Sequence, residues 1–238
     1  MNNKKILMII PAYNEEDNIL NTYNSIKNFN KKNKTNYDVI VINDGSIDKT
    51  EEILKGNNIN HIRLIHNLGI GGAVQTGYKY ALEHDYDIAV QFDGDGQHNV
   101  ECVENIIDPI INRRANMVIG SRFIKKDKNN FQTTRSRRMG INLISKVIKL
   151  KTGKKIYDTT SGFRAIDKNV LKLYAVSYPT EYPEPISSVD ALANGFVIAE
   201  VPAKMNERKA GKSSIGSWKN AYYMINVLLS IIMIRRFK

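Results

Sequence analysis

The sequence predicts an α/β fold with a mainly parallel, Rossmann-like sheet and helices on both of its faces. Short β-branched runs alternate with helix-like segments through residues 1–120, and a turn signal follows each run. The runs are apolar at consecutive positions, which is typical of strands buried on both faces of a parallel sheet. Such sheets bind ligands beyond the carboxyl ends of their strands, so the residues after each strand are the first candidates for a site.

The first half of the chain contains the more regular elements. The predicted strands span 4–10, 37–43, 61–65, 87–92 and 116–120, and the predicted helices span 15–30, 48–55, 71–84 and 99–113. Asp48 and Asn99 precede two of these helices and are predicted N-caps, because a short side-chain oxygen can accept a hydrogen bond from a first-turn amide. The apolar run of the first strand is too short for a secretory signal sequence.

The second half is less regular. A basic loop over 125–138 precedes predicted helices over 139–151 and 167–174, a last strand over 196–202 and a flexible loop over 207–217. An apolar segment over 222–234 is followed by basic residues. A spanning helix needs roughly 20 apolar residues, so this segment is predicted either to pack in the core or to lie in the interface of an anionic membrane.

Charge is divided unevenly along the 238 residues. Residues 1–120 contain 12 Lys and Arg against 16 Asp and Glu, a net charge of −4, whereas residues 121–238 contain 23 against 8, a net charge of +15. The basic half predicts contact with nucleic acid, a phosphate-bearing substrate or an acidic membrane surface. The single cysteine, Cys102, excludes a disulfide framework and a Cys-rich zinc site.

Two aspartates, Asp93 and Asp95, follow the fourth predicted strand in the motif DGDGQH. Side chains two residues apart in an extended segment point the same way, so both carboxylates can reach one site. Two hard oxygen donors suit Mg²⁺ or Mn²⁺, which complete their coordination with substrate phosphates and water. An Asp-Gly turn is the alternative. The motifs PAYNEE (11–16) and NDGS (43–46) follow the first and second strands, and this shared edge favours a binding site.

A glycine-rich loop, NLGIGGAVQTG (67–77), joins the third predicted strand to a helix. It matches only part of the dinucleotide-binding pattern, since Val74 stands where the third glycine belongs, and it does not follow the first strand. An NAD-dependent enzyme is therefore disfavoured. The glycines are expected to let the helix N-terminus approach the sheet or a phosphate closely.

Taken together, these motifs resemble those of family 2 glycosyltransferases. From about residue 6 to residue 215 the family's order is kept in PAYNEE, VINDGSIDKT, NLGIGGAVQTG, DGDGQH, GSR (120–122), SGFRA (161–165) and EVPAKMNERKAGKSS (200–214). The sequence is most similar to dolichyl- and polyprenyl-phosphate sugar transferases and to bacterial enzymes of surface-polysaccharide synthesis. The resemblance implies a GT-A fold, a nucleotide-sugar donor, a divalent metal and inversion at the anomeric carbon.

The resemblance also implies roles for individual residues. Asp44 would contact the uracil or ribose, and Gln97 would lie next to the sugar. Asp93 and Asp95 would hold Mg²⁺ or Mn²⁺ on the diphosphate, where the cation stabilises charge on the departing nucleoside diphosphate. The implied catalytic residues are Asp95, Glu184 and Arg164. The implied nucleotide-sugar pocket consists of Pro11, Tyr13, Glu15, Asp44, Gly71, Gln75, Asp93, Gln97 and Arg122.

The acceptor side of the site is expected in the basic half. Arginine suits bidentate phosphate contact and lysine supplies a mobile point charge. Glu184 in YPEP (182–185) is the candidate base for a hydroxyl acceptor, with Asp190 behind it, whereas a lipid phosphate is already anionic and needs no base. Related sequences often have a second acidic residue after YPEP, where this chain has Ile186, so the acceptor stays open. The predicted acceptor- and phosphate-binding residues are Arg135, Arg208, Lys212 and Ser213.

The sequence therefore predicts one GT-A domain over 1–215, with a nucleotide-sugar half (1–120) and an acceptor half (121–215), and an amphipathic helix over 216–238. The predicted reaction moves a sugar from a UDP- or GDP-sugar to a polyprenyl phosphate or lipid-linked glycan. The protein is expected at the cytoplasmic face of the cell membrane, peripherally associated with anionic lipid. Nucleic acid is not an expected partner, whereas a homo-oligomer or a membrane-protein partner is compatible with the sequence.

Three alternatives remain from the sequence. The sugar acceptor could be a hydroxyl of a cell-surface polysaccharide or glycolipid. A sugar nucleotidyltransferase should have a Gly-rich, basic loop after its first strand, where this chain has the acidic PAYNEE. A binding module without catalysis would need neither the aspartate pair nor the basic loop.

Overall fold

The computed structural model describes residues 4–124, 134–204 and 217–234, and these form a seven-stranded sheet covered by helices. The strands are β1 (Ile6–Ala12), β2 (Asp38–Asn43), β3 (His61–Arg63), β4 (Ile88–Gln91), β5 (Met117–Ser121), β6 (Arg164–Asp167) and β7 (Ile198–Pro202). The helices are α1 (Ile19–Asn33), α2 (Thr50–Gly56), α3 (Gly69–Glu83), α4 (Val103–Ile111), α5 (Arg135–Thr152), α6 (Lys168–Val176), α7 (Pro183–Ala193) and α8 (Ser217–Met233).

The strand order across the sheet is β3-β2-β1-β4-β6-β5-β7. Strand β1 pairs in parallel with β2 and β4, β2 pairs in parallel with β3, and β5 pairs in parallel with β7. Strand β6 runs antiparallel to both of its neighbours, β4 and β5. The prediction of a mainly parallel α/β sheet is therefore confirmed.

The apolar core forms two layers, one on each face of the sheet. Helices α3, α5, α6, α7 and α8 pack on the face that receives Ile9 and Ile42. Helices α1, α2 and α4 pack on the face that receives Met8 and Val41. Adjacent residues of one strand thus enter different layers, which explains why the strands are apolar at consecutive positions.

Helix α1 begins at Ile19 and not at residue 15, where the sequence predicts its start. The backbone N–H groups of Asn14 and Glu15 donate instead to Ser46 Oγ (3.0 Å) and Thr50 Oγ1 (2.9 Å). Because these hydrogen bonds join the PAYNEE segment to the residues after β2, the chain between β1 and α1 stays at the carboxyl edge of the sheet.

The second half contains two further differences from the prediction. Strand β6 is not predicted by the sequence, because its four residues include Arg164 and Asp167 and form no apolar run. Helix α5 begins at Arg135, inside the segment predicted as a basic loop. Its N-cap is Thr134, whose Oγ1 accepts a hydrogen bond from the Arg137 N–H (3.3 Å), so the helix starts before the first apolar residues that the pattern detects.

Both predicted cap residues accept backbone hydrogen bonds. Asn99 Oδ1 accepts from the Glu101 N–H (3.0 Å) at the start of a 3₁₀ turn that leads into α4, as predicted. Asp48 Oδ1 accepts from the Thr50 N–H (2.9 Å), while the N-cap position of α2 is taken by Lys49.

Helix α8 has one buried side and one exposed apolar side. Val227 and Ile231 are buried in the core, and Leu229 and Ile232 are exposed. The sequence left a core helix and an interfacial helix as alternatives, and the exposure pattern is compatible with both roles at once. Within the described ranges, no helix is long and apolar enough to span a bilayer.

Candidate active site

The carboxyl edge of the sheet brings the predicted site motifs together. Gln91 at the end of β4 pairs with Arg164 at the start of antiparallel β6. Ile119, near the end of β5, pairs with the same arginine. The segments DGDGQH, SGFRA and GSR therefore meet at one edge of the sheet, next to the ends of β1 and β2.

Asp93 lies directly after β4 at this edge, and 31% of its side chain is exposed. Its Oδ1 accepts a hydrogen bond from Gln91 Nε2 (3.1 Å), and its Oδ2 lies 2.9 Å from His98 Nε2. Burial raises the pKa of the Asp93 carboxyl, but His98, Gln91 and Arg122 outweigh burial and hold the pKa below its ordinary value. Asp93 is therefore an anion at neutral pH, and a protein group orients each of its oxygens.

Two glycines allow the chain to pack closely around Asp93. A Cβ on Gly162 of SGFRA would lie 2.7 and 2.9 Å from the two Asp93 carboxylate oxygens and 2.8 Å from Gln91 Nε2. A Cβ on Gly94 would lie 2.9 Å from the carbonyl oxygen of Pro11. Side chains at these positions would fill the space that the carboxylate and the end of β1 occupy.

Asp95 is oriented by its own loop. Its Oδ1 accepts a hydrogen bond from the Gln97 N–H (3.0 Å). Thr22 Oγ1 on α1 donates to the Gly94 carbonyl (3.0 Å), so the loop packs against this helix. A cavity of about 230 Å³ lies between α1 and the loop, and Asp95 lines it. The structure thus places Asp93, Asp95 and Gln97 on one loop, and of these three Asp95 borders the cavity.

Asp44 lies beyond β2 and faces the start of α3. Its Oδ1 accepts a hydrogen bond from the Leu68 N–H (2.7 Å). Burial raises the pKa of Asp44, and the backbone N–H groups of Leu68 and Gly69 offset part of this rise. A Cβ on Gly45, whose φ is +68°, would lie 2.9 Å from the Asn67 nitrogen. The NDGS segment and the glycine-rich loop therefore form one continuous wall of the site.

The remaining residues of the predicted nucleotide pocket divide between two places. Tyr13 is 45% exposed beyond β1, and Glu15 Oε2 accepts from Asn18 Nδ2 (2.9 Å), so both lie at the carboxyl edge. Gly71 and Gln75 lie on α3, where Gln75 contacts the last turn of α6 and Gly71 contacts the segment that follows α6. A Cβ on Gly71 would overlap the Pro179 carbonyl, and Gln75 Nε2 lies 3.4 Å from the Tyr174 carbonyl. These contacts pack α3 against residues 174–180.

Arg164 is fully buried, and its contacts join β6 to the first turn of α7. Its Nε donates to the Ser161 carbonyl (2.7 Å), and its Nη1 donates to the Glu184 carbonyl (2.7 Å) and to Ser187 Oγ (3.0 Å). Nη2 has no hydrogen-bond partner within the described ranges. The sequence predicts a catalytic role for Arg164, and the hydrogen bonds of its guanidinium join Ser161 to the first turn of α7.

Glu184 lies in the first turn of α7, close enough to sense the other site charges. Burial raises the pKa of Glu184 and the Asp93 carboxylate adds to this rise, while Arg164 and Arg122 partly offset it. The pKa of Glu184 is therefore raised while that of Asp93 is lowered. Two carboxyl groups with opposite shifts can take different roles in one reaction, as anion and as proton acceptor.

Arg122 follows β5 and forms a buried ion pair with Asp158. Its Nε lies 2.8 Å from Asp158 Oδ2 and its Nη2 lies 2.7 Å from Asp158 Oδ1. Nη2 also donates to Thr160 Oγ1 (2.9 Å). Glu200 on β7 accepts from the Asp158 N–H (2.9 Å), which fixes the carboxylate in turn. The guanidinium of the GSR motif is thus held at the edge, where its charge affects both Asp93 and Glu184.

The predicted acceptor residues are only partly within the described ranges. Arg135 is the first residue of α5. Arg138, in the same turn, places its guanidinium carbon 3.7 Å from the ring centre of Phe123, the residue after Arg122. The first turn of α5 therefore lies beside the end of β5. Arg208, Lys212 and Ser213 lie outside the described residues.

His98 belongs to the motif DGDGQH but is not among the site residues that the sequence predicts. The His98 side chain is fully buried, stacks on Phe163 (ring centroids 4.8 Å apart) and meets the edge of Phe92 (5.5 Å). A histidine five residues after an aspartate in a loop was the available signal.

No group of three or more His, Cys, Asp or Glu side chains suited to a metal ion occurs in the part of the chain that the structure describes.

Comparison with known proteins shows the family and the fold of the chain. The sequence model of the family described as "Glycosyl transferase family 2" matches residues 8–174. A UDP-N-acetylglucosamine–dolichyl-phosphate N-acetylglucosaminyltransferase of Methanococcus voltae is 37% identical over 223 residues, which cover 86% of this chain and 86% of that protein. An undecaprenyl-phosphate mannosyltransferase of Micrococcus luteus is 28% identical over 232 residues, which cover 94% of this chain and 92% of that protein.

The fold is shared with a solved structure of glucosyl-3-phosphoglycerate synthase from Mycobacterium tuberculosis in complex with Mn²⁺ and UDP-glucose. The TM-score is 0.70 at 17% identity, and the match covers 96% of this chain and 78% of that one. At this identity the likeness concerns the fold, whereas the match to the family model concerns the sequence itself. The chain therefore belongs to glycosyl transferase family 2 and is a glycosyltransferase with the GT-A fold.

Proposed function

We propose that this glycosyltransferase moves a sugar from a UDP-sugar to a polyprenyl phosphate at an anionic membrane surface. The observation that carries the proposal is the arrangement at the carboxyl edge of the sheet, where the Asp93 carboxylate lies beside the wall formed by Asp44 and close enough to Arg122 to be affected by its charge. The names of the M. voltae and M. luteus relatives, which specify dolichyl and undecaprenyl phosphate, support this acceptor class.

The donor side of the proposal rests on the wall formed by Asp44 and the glycine-rich loop. The Asp44 carboxylate is oriented by the Leu68 N–H at the start of α3 and lies on the same edge as Asp93. An acidic residue after an early strand of a nucleotide-binding sheet is suited to accept hydrogen bonds from ribose. Of the two donors that the sequence predicts, the UDP-sugar is the one supported by the name of the M. voltae relative and by the ligand of the mycobacterial structure.

Asp93 and Asp95 fit a divalent cation that substrate helps to hold. They offer hard carboxylate oxygens on one loop, and the described residues contain no group of three or more His, Cys, Asp or Glu side chains that could hold the cation without substrate. Mg²⁺ and Mn²⁺ are commonly bound by one or two carboxylates and completed by substrate phosphates and water. A bound cation would supply charge neutralisation for the departing nucleoside diphosphate. The residues of this chain orient Asp93, through Gln91 and His98, toward that position.

The acceptor side of the proposal rests on the basic charge beside β5. Arg138 stacks on Phe123 at the first turn of α5, next to the Arg122 position. The N-terminal turn of a helix favours an anion, because its unpaired N–H groups and dipole are positive there. An acceptor phosphate in this place needs no base, since it is already ionised.

A hydroxyl acceptor is the second candidate, and one observation favours it. The raised pKa of Glu184 makes this carboxyl a better proton acceptor than an ordinary glutamate. Such a group has a use when the acceptor is a sugar hydroxyl, and none when it is a phosphate.

A membrane-facing surface is proposed on helices α5 and α8, which pack against each other. The exposed side chains include Leu143 (47% exposed) and Leu229 (53%), with Ile225 and Ile232 on the same side of α8 as Leu229. Exposed lysines, Lys146 and Lys149, accompany them on α5. Apolar side chains flanked by lysines are typical of helices that lie in the interface of an anionic bilayer.

Membrane binding can be tested without unfolding the core, because the residues to change are exposed. In flotation with anionic vesicles, the double variant Leu143→Glu/Leu229→Glu should lose most of the bound fraction. Ile111→Glu adds a charge at an exposed apolar position of α4, on the other face of the sheet, and should bind as wild type. Equal binding by all three proteins would contradict the proposed surface.

The reaction itself is tested by release of UDP from a panel of UDP-sugars, with and without polyprenyl phosphate. We expect the lipid phosphate to increase the rate for one donor. Asp93→Ala should abolish the divalent-metal dependence of release, whereas Glu104→Ala, which removes an exposed carboxylate on α4, should not. Undiminished metal-dependent release by Asp93→Ala would refute the proposed donor site, and a rate unaffected by the lipid would refute the acceptor.

A further inference from the structure

Within the described structure, the His98 side chain makes its polar contact with a single carboxylate, that of Asp93. Its Nε2 lies 2.9 Å from Asp93 Oδ2, and its side chain has no exposed surface. A carboxylate oxygen accepts hydrogen bonds, so this contact requires the tautomer in which Nε2 carries the proton and donates it. Nδ1 finds no hydrogen-bond partner among the described residues, so the contact with Asp93 is the ring's specific polar interaction.

The orientation of the ring is fixed by aromatic packing. Phe163 stacks on the imidazole at 4.8 Å with 21° between the planes, and Phe92 meets it nearly edge-on at 5.5 Å. Both phenylalanines are 1% exposed. Phe92 is the first residue after β4, and Phe163 belongs to SGFRA. Residues from both segments therefore pack against His98. A ring packed in this way has little freedom to rotate away from Asp93.

The other Asp93 oxygen is oriented in the same manner. Gln91 Nε2 donates to Oδ1 (3.1 Å), so each carboxylate oxygen receives one protein donor. An ionised carboxylate oxygen has two lone pairs, so each Asp93 oxygen keeps one that these two hydrogen bonds do not use. Rotation of the carboxylate would break both hydrogen bonds.

We propose that His98 is a positioning residue of the donor site, whose Nε2–H fixes the orientation in which the Asp93 carboxylate meets the cation on the donor diphosphate. The hydrogen bond to Asp93 and the packing of the ring do not depend on the proposed function. Only the role of His98 toward the cation rests on the proposed function. Groups that orient metal ligands typically change metal affinity by about 10- to 100-fold when they are removed.

Three variants separate the hydrogen bond from the packing. His98→Leu fills the space between the phenylalanines without a donor, whereas His98→Gln offers an amide Nε2 close to the position of the imidazole Nε2. His84→Leu is the matched control, because His84 also stacks on an aromatic ring (Tyr80, 3.9 Å) but lies before β4, at the opposite edge of the sheet. Thermal unfolding verifies that each variant folds, and His98→Met replaces His98→Leu if the latter does not.

The measured quantity is Mn²⁺ binding in the presence of UDP, followed by electron paramagnetic resonance of free Mn²⁺, with the Mn²⁺ dependence of UDP release beside it. We expect His98→Leu to raise the Mn²⁺ half-saturation by about tenfold or more, His98→Gln to restore most of the affinity, and His84→Leu to match wild type. A purely structural role would lower the folded fraction without moving this half-saturation.

Two results would overturn the inference. Folded His98→Leu with wild-type Mn²⁺ affinity would show that Asp93 does not need this donor. His98→Gln as weak as His98→Leu would assign the effect to ring packing. If wild type binds no Mn²⁺ in the presence of UDP, the proposed metal site is wrong, and so is the proposed role of His98 toward the cation.

Discussion

Gly162→Ala is the substitution whose effect on the site follows most directly from the structure. The new methyl group would lie 2.7 Å from Asp93 Oδ2, whereas ordinary van der Waals contact begins at 3.4 Å, so the two groups must separate by about 0.7 Å. The backbone of SGFRA is held by β6, so the Asp93 carboxylate is the part that can move. Its movement breaks the hydrogen bonds from Gln91 and His98.

The expected effect is larger on activity than on folding. Misplacement of a site group by about 1 Å can lower activity about 100-fold, so a shift of this size should reduce kcat/KM for the UDP-sugar by about 10- to 100-fold. Overpacking typically lowers the free energy of unfolding by about 1–3 kcal/mol, which leaves the variant folded. Steady-state UDP release and chemical denaturation measure the two quantities on the same preparation.

Gly56→Ala is the matched control for this substitution. Gly56 is the last residue of α2, and a Cβ added there would meet no atom within 4 Å. Its stability should equal that of wild type or exceed it by up to about 1 kcal/mol, because alanine restricts the unfolded chain. If Gly162→Ala keeps wild-type kcat/KM and Mn²⁺ affinity while folded, then Asp93 does not require its present position, and the reasoning is refuted.

Three further substitutions test the second half of the site. With a hydroxyl acceptor, kcat/KM should rise as pH rises through the pKa of Glu184, which burial raises. Glu184→Gln should remove this rise. With polyprenyl phosphate as the acceptor, the wild-type pH profile should show no such rise. Asp158→Asn should lower the free energy of unfolding in urea by about 3–5 kcal/mol, because Arg122 stays buried without its carboxylate. Arg164→Lys keeps the charge but loses the forked contacts, so kcat should fall while UDP affinity, measured by calorimetry, is retained.

The sequence predicted the first half of the sheet well, because its strands are marked locally. The runs that became β1, β2 and β4 contain unbroken apolar stretches and are followed by polar motifs, and these motifs meet at one edge, as expected for parallel strands. The boundary of α1 was wrong because the N–H groups of Asn14 and Glu15 bond to residues beyond β2. No local pattern indicates such a contact.

The features that the sequence missed depend on contacts between distant segments. Strand β6 contains the polar residue Arg164 and therefore shows no apolar run in the sequence. In the structure Arg164 is buried, because carbonyl groups of Ser161 and α7 accept its hydrogen bonds. The sequence around His98 indicates a polar loop, since its stacking partner, Phe163, is far along the chain. The ion pair between Arg122 and Asp158 is likewise absent from any local pattern. In each case the polar residue belongs to a motif of the sequence, whereas its partner comes from another part of the chain that no local pattern indicates.

The antiparallel strand β6 explains why an acidic half and a basic half form one site. Because β6 runs against β4 and β5, its first residue meets the last residues of both, and the chain before it crosses Asp93 at Gly162. The same strand places Arg164 under α7, which carries Glu184 to the edge. Residues 1–120 alone would leave β4 with an unpaired edge and Asp93 uncovered. The edge of the sheet around Asp93 is therefore built from residues of both halves of the chain.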